Sequence, residues 1–224
     1  MRAFHKYFYF INTDKMLITG NDVIEILKSH NIVVKGSLHI GAHECEELPF
    51  YNQMGIKNEQ VIWIDAIQSK VEEATKRGIP NLFHAVVTDK DDSTVIFHVT
   101  NNAQSSSILE FGSHATHHPH VHFIKDIELK TITIDTFMER TGLKAEDYDF
   151  WNFDIQGAEL LALRGAKKSL QFPKVLYLEV NTEEVYKGCG KMEEIDEFLR
   201  GYGFTRVKTD ITQFGWGDAL YIKK

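Results

Sequence analysis

The most constraining feature of this sequence is a short, uninterrupted apolar run closed by an acid. Val61-Ile-Trp-Ile64 runs straight into Asp65, with no polar residue inside it. A strand with one wet face alternates apolar and polar side chains. An uninterrupted run fits a strand buried on both faces. Such strands need helices above and below them. Ser37–Gly41, Val61–Ile64 and Leu82–Val87 read as three strands, with helices at 44–54 and 68–77 between them. Short connections in this order imply a parallel sheet with right-handed crossovers.

The remaining chain extends the pattern. Asn21 is a plausible N-cap for a helix at 22–30. Thr94 to Val99 reads as a strand, followed by a long polar loop from about 100 to 126. Residues 129–134 alternate as a strand, and 135–141 form a short helix. Asp149–Asp154 and Val175–Val180 are core strands, with a helix at 157–170 between them. A helix at 191–201 precedes strands at 203–208 and 218–222, an antiparallel pair at the sheet edge. Residues 1–18 are aromatic and irregular, and Phe4, Phe8 and Phe10 are expected to pack on the main body. The expected organisation is an extension with one helix at 1–35 and a single α/β domain at 36–224. The sheet is expected to be mostly parallel, with an antiparallel edge strand and helices on both faces.

Composition narrows the partners. The 224 residues carry 25 Lys+Arg against 32 Asp+Glu, a net charge of -7. An acidic chain repels phosphate backbones and anionic lipid, so neither nucleic acid nor a membrane surface is expected. No apolar run approaches the roughly 20 residues of a membrane span. The amino-terminal stretch lacks the small-residue cleavage site of a signal peptide. Two cysteines, Cys45 and Cys189, make no disulfide framework. A reducing, cytoplasmic compartment is the expectation, for a monomer or a homodimer.

Two motifs carry chemistry. In Leu38-His39-Ile40-Gly41-Ala42-His43-Glu44-Cys45 a strand ends in a glycine turn before a helix. Gly41 lets the backbone pass close to a ligand. Asp65, with Ala66 beside it, closes the next strand 24 residues after Gly41. An acid near this spacing hydrogen-bonds a ribose hydroxyl in doubly wound folds. The full G-x-G-x-x-G series is absent, and Glu44 and Glu46 would repel a pyrophosphate. A nucleoside without phosphate fits better, and S-adenosylmethionine is the common one. In the second motif, Phe153-Asp154-Ile155-Gln156-Gly157-Ala158-Glu159-Leu160, an acid again ends a strand where ligands bind. Asp154 can orient a hydroxyl, take its proton, hold a cofactor amine, or simply cap the next helix.

These residues resemble the FkbM family of S-adenosylmethionine-dependent methyltransferases. Ile40-Gly41-Ala42-His43 matches its opening strand–Gly-Ala-(His/Asn) motif, and Asp65 its second-strand acid. Asp154-Ile-Gln-Gly-Ala-Glu-Leu-Leu-Ala-Leu-Arg-Gly-Ala166 matches its hallmark Asp-(Val/Ile)-(Glu/Gln)-Gly-x-Glu-x-x-x-Leu-x-Gly-Ala run. Ser105 to Ile108, Glu179-Val-Asn-Thr and Gly215-Trp-Gly-Asp-Ala219 are also similar. The chain departs from the family at His39, where an acid is common, and at Cys45, where a second glycine is common.

The resemblance implies a single Rossmann-like class I methyltransferase domain, built on a mostly parallel seven-stranded sheet, that methylates a hydroxyl of a sugar or glycan. Gly41, Ala42 and His43 would cradle the methionine end of the cofactor, Asp65 the ribose, and Val86 the adenine. His39, Ala66, Ser106 and Asp154 complete the expected cofactor contacts. Asp154, His114 and His118 are the base candidates. Asn102, Gln104, Glu179, Asn181 and Trp216 are the expected contacts to a small-molecule or oligosaccharide acceptor. Five of the eleven histidines fall between 114 and 122. His118, His120 and His122 would share one face of a strand, yet no second ligand cluster accompanies them, so no metal is expected. Two other readings remain: a degenerate fold serving as a binding module, and a nicotinamide-dependent oxidoreductase.

Overall fold

The computed structural model describes residues 16–224. Phe4, Phe8 and Phe10 lie outside the described residues. The first helix, α1 (Gly20–Ser29), is capped by Thr19, whose hydroxyl accepts from the Asp22 N–H. The cap is thus two residues earlier than Asn21. Strand β1 (Ser37–Ile40), helix α2 (Leu48–Gln53), strand β2 (Val61–Asp65), helix α3 (Gln68–Lys76) and strand β3 (Leu82–His84) form the first half of the sheet. Strands β4 (Val86–Val87) and β5 (Thr94–Thr100) follow, then a helical turn α4 (His114–His117), strand β6 (Phe123–Ile132) and helix α5 (Ile134–Thr141). The second half comprises β7 (Phe150–Phe153), α6 (Glu159–Arg164), β8 (Val175–Asn181), α7 (Met192–Arg200), β9 (Phe204–Ile211) and β10 (Trp216–Lys223).

The main sheet has seven strands in the order β3-β2-β1-β7-β8-β10-β9. Strand β10 runs antiparallel to β8 and to β9. The reversed strand is therefore the inner member of the edge pair, with β9 outside it. The chain winds outward from β1 to β3 and returns to place β7 beside β1. That reversal is a topological switch point, the place where open α/β sheets bind ligands.

The unbroken apolar runs bury both of their faces. Leu38, Ile40, Ile62, Ile64 and Phe153 pack with Phe137 of α5, Leu163 of α6 and Leu199 of α7. Val61, Trp63, Phe150 and Tyr177 pack with Val23 and Leu27 of α1, Tyr51 of α2 and Ala74 of α3. Period-two alternation sends neighbouring residues of one strand into opposite layers. Among the described residues, no helix is long and apolar enough to cross a membrane.

Several boundaries differ from the sequence expectation. The run Leu82–Val87 breaks at Ala85, whose N–H donates to the Asp65 carbonyl. β3 stays with β2, while β4 leaves to pair with β6 in a separate three-stranded sheet. β6 begins at Phe123, six residues before the expected start, because it pairs along the whole of β5. Helix α2 begins only at Leu48. His43 (φ +42°) and Cys45 (φ +59°) occupy the left-handed region, which a right-handed helix cannot include. The expected helix at 157–170 is regular only over Glu159–Arg164. Residues 118–122 form no strand, so His118, His120 and His122 share no strand face.

Candidate active site

The loops after β1 and β7 meet at the switch point. The Gly41 and Ala42 N–H groups both donate to the Ile64 carbonyl, at 2.9 and 3.1 Å. Gly41 has φ +93°, and a Cβ there would lie 1.8 Å from the Asp154 carbonyl oxygen. Only glycine lets the two loops touch. Cys45, where the family commonly has glycine, still holds a glycine-like backbone (φ +59°), a conformation that costs an ordinary residue about 1–2 kcal/mol. Burial pushes its thiol up to about 12, so it is an inert packing group.

Asp65 stands at the carboxyl end of β2, 8% exposed. One carboxylate oxygen accepts from the His43 N–H and the other from the Ile67 N–H, both at 2.7 Å. Burial raises its pKa, and the two N–H groups oppose that shift. Each oxygen retains a lone pair for a ligand hydroxyl.

A second group of acids lies at the ends of β7, β8 and β10. Asp154 follows β7 and is exposed to the cavity. Glu179 of β8 faces Asp218 of β10 in the antiparallel register. Glu159 opens α6 and accepts from the Ile155 and Gly157 N–H groups, at 2.9 and 3.2 Å. Burial pushes Glu159 up to about 8, against those two hydrogen bonds. Glu179 is raised well above the usual carboxylate range, by burial first and then by the charges of Asp154 and Glu159. Asp218 is raised to about 6 by burial, although Tyr177 and the Leu17 N–H both donate to it. Burial and mutual repulsion thus favour the protonated forms of Glu159, Glu179 and Asp218.

Between the two groups lies a cavity of about 300 Å³ over the carboxyl edge of the sheet. Its floor includes Gly41, His43, Asp65, Ala66, Asp154 and Glu179. The loop after β5 supplies Asn102, Gln104 and Ser106, α4 and its flank supply His114 and His118, and β10 supplies Trp216. Among the described residues no lysine or arginine lines it. Burial, then the neighbouring histidines, hold His114 down at about 4, so it is neutral at pH 7. No three His, Cys, Asp or Glu side chains of the described residues converge as a metal site.

Four expected contacts are not at this cavity. His39 is 1% exposed beneath it, with its ring against Trp63 and its Nδ1 2.7 Å from the Tyr51 hydroxyl. Burial lowers its pKa to about 4, so it is a neutral core residue. Ala42 and Val86 are buried in the layers behind, and Asn181 is wholly buried in β8. Asn102 lines the cavity, but its amide already serves its own turn. Its oxygen accepts from the Thr100 hydroxyl and its nitrogen donates to Ser105. Ser106 accepts from the Thr100 N–H, and Ser107 donates to the Gln156 carbonyl at 2.9 Å. The serine run thus ties the long loop to the second motif.

The structure adds residues that the sequence reading did not place. Glu47, Ile67, Ser105, Gln156, Val185 and Tyr186 also line the cavity. Gln156 lies inside the hallmark run, so its signal was present. Tyr186 comes from the segment after β8, where no spacing pattern marks it.

The methyltransferase FkbM domain matches residues 37–205. The chain belongs to the FkbM methyltransferase family. Membership makes S-adenosylmethionine its cofactor. The chain is 28% identical over 128 residues to the 2-O-methyltransferase NoeI of Sinorhizobium fredii, covering 54% of this chain and 51% of that protein. It thus spans about half the length of the curated relative it matches. The crystal structure of methyltransferase FkbM from Methylobacillus flagellatus superposes with a TM-score of 0.50 at 14% identity, covering 84% of this chain and 43% of that one. A magnesium protoporphyrin IX methyltransferase from Synechocystis, solved with bound SAM, gives 0.48 at 13% identity, covering 92% and 78%. The Methylobacillus flagellatus structure shares the fold of this FkbM domain.

Proposed function

We propose that this chain is an S-adenosylmethionine-dependent O-methyltransferase whose acceptor is a hydroxyl of a sugar or glycan. Residues 36–224 form the catalytic domain, and residues 1–35 are its extension. The observation that carries the reading is the acid-lined cavity at the switch point, with no lysine or arginine among its described residues. Such a surface suits a cationic ligand and disfavours a pyrophosphate. That same absence leaves the nicotinamide-dependent reading without support.

When bound, the cofactor supplies an electrophilic methyl group. Asp65 holds the ribose hydroxyls through the lone pairs that its two backbone donors leave free. Gly41, His43 and Ala66 shape the wall beside it. Asp154, exposed in the same cavity, is the base. It would take the proton of the acceptor hydroxyl, while the bound cofactor would supply the methyl group to that oxygen and, its carbon–sulfur bond broken, leave as S-adenosylhomocysteine. Positioning contributes the rest of the rate. His114 is neutral and His118 is held below its ordinary value by burial, so both offer hydrogen bonds rather than charge. Gln104, Glu179 and Trp216 face the acceptor, and Trp216 offers an aromatic face to a sugar ring. The name of NoeI supports O-methylation as the reaction type. Two buried free thiols fit a reducing, cytoplasmic setting.

Calorimetric titration with S-adenosylhomocysteine, with NAD as the control, tests the reading. Micromolar binding of the first alone is expected. Binding of NAD alone, or of neither, overturns it.

A further inference from the structure

Gln156 sits between the two carboxyls that matter most in this reading. Its backbone has φ +57°, in the left-handed region. A glutamine gains nothing from that conformation, which costs about 1–2 kcal/mol. Its side chain shows what the strain secures. The amide nitrogen donates to Asp154 at 2.6 Å and to Glu179 at 2.5 Å. The amide oxygen accepts from the Tyr186 hydroxyl at 2.5 Å. The backbone carbonyl accepts from Ser107. Both N–H donors of the amide are therefore spent on carboxyls, and its oxygen accepts from the Tyr186 hydroxyl, which also lies 3.4 Å from the Ser105 carbonyl oxygen.

We propose that Gln156 is a positioning residue: its amide clamps Asp154 and Glu179 together, fixing Asp154 toward the acceptor hydroxyl. The proposal rests on the methyltransferase reading for its purpose, though not for its geometry. The family motif admits Glu or Gln at this position. In this chain a Glu would set a third carboxyl against two others and remove both donors. Glu159 adds its own charge from α6, and Asp218 faces Glu179 from β10. No lysine or arginine among the described cavity residues offsets them. Only an uncharged side chain with two N–H groups holds this pair without adding to the repulsion. Tyr186 in turn sets which way the amide points. It reaches Gln156 from the segment after β8, so loop and strand ends are locked by one hydrogen-bonded chain.

The test follows the carboxyl groups themselves and needs no acceptor. Carbon-13 labelled Asp and Glu side chains are titrated by NMR in the 224-residue chain, in wild type, Gln156→Glu, Gln156→Ala and Tyr186→Phe. Gln156→Glu is expected to raise the apparent titration of the Asp154–Glu179 pair by about one pH unit or more. Gln156→Ala removes two donors without adding charge, so it shifts the pair in the same direction by less. Tyr186→Phe keeps the ring and loses only the hydroxyl, giving the smallest shift. A merely structural role would lower the melting temperature and leave these titrations in place. Unchanged titrations in Gln156→Glu overturn the clamp. Should that variant fail to fold, unchanged titrations in both Gln156→Ala and Tyr186→Phe overturn it. Titration with S-adenosylhomocysteine is read separately. Lost binding in wild type defeats the methyltransferase reading, whereas the carboxyl shifts report on the clamp alone.

Discussion

Asp65 and Glu179 are both buried carboxyls at the carboxyl edge of one sheet, yet their partners differ in kind. Asp65 receives two backbone N–H groups from the turns around it. Glu179 is packed among Asp154, Glu159 and Asp218, and receives a side-chain amide. Backbone donors stabilise a charge in place. Neighbouring carboxyls stabilise a proton instead. One half of the site is thus built by the main chain to present a carboxylate. The other is built by side chains to share protons among acids. On the proposed function, the difference gives fixed hydrogen bonding to the half assigned to the cofactor and proton handling to the half assigned to the acceptor.

The two halves touch at Gly41, so the hardest way to break the comparison is to separate them there. Gly41→Ala places a Cβ into the Asp154 backbone and forces an unfavourable φ. A loss of about 4 kcal/mol or more, or failure to fold, is expected in urea unfolding. Asp65→Ala leaves two N–H groups without acceptors. It is expected to cost about 2–4 kcal/mol of stability. In calorimetry it should weaken S-adenosylhomocysteine binding roughly 10- to 100-fold.

The acid-rich half is read by pH. A carboxyl whose folded pKa is raised binds its proton more tightly than the unfolded chain does. Its contribution is full below the unfolded value and is lost as pH rises through the folded one. For Glu159 that window runs from 4.5 to about 8. His39 and His114, held down at about 4, oppose this slope below their ordinary 6.5. Stability is therefore expected to fall clearly only above about pH 6.5, by up to about 1.4 kcal/mol per pH unit for each retained proton. Glu159→Gln keeps an acceptor for Ile155 and Gly157 and should flatten that decline. A decline of unchanged slope in the variant would remove Glu159 from the account. The smallest effect belongs to His43. His43→Gly relieves a left-handed residue but loosens the unfolded chain, so the net change is expected within about 0.5 kcal/mol. A larger loss would show that its 2.9 Å contact to Glu46 matters more than a surface pair does.

Much of the fold was legible because its signals are local. Apolar runs, a glycine after a strand and an acid at its end depend on neighbours in sequence. They placed β1, β2, β7 and β8, and with them Gly41, Asp65 and Asp154. The break at Ala85 was not legible, because both sides of it are good strand formers. Only the partners, β2 for one and β6 for the other, divide the run. The histidine cluster read as a strand face, but that segment has no partner strand, and its first residues form a helical turn instead.

The sequence by itself determined the parallel sheet, the family and the strand-end acids, since each is written in residue type at fixed short spacing. The tertiary structure alone decided which of those residues share a cavity. His39 lies in β1 yet points into the core, because packed side chains cover both faces of that strand and Trp63 and Tyr51 enclose its ring. Glu159, Glu179 and Asp218 look independent along the chain. Strand pairing and a helix start bring them together in a buried space, where Coulomb repulsion and lost hydration change their protonation. Tyr186 reaches Gln156 only because the chain after β8 folds back over the second motif. Burial and charge proximity are properties of three-dimensional neighbours, and no one-dimensional spacing encodes them.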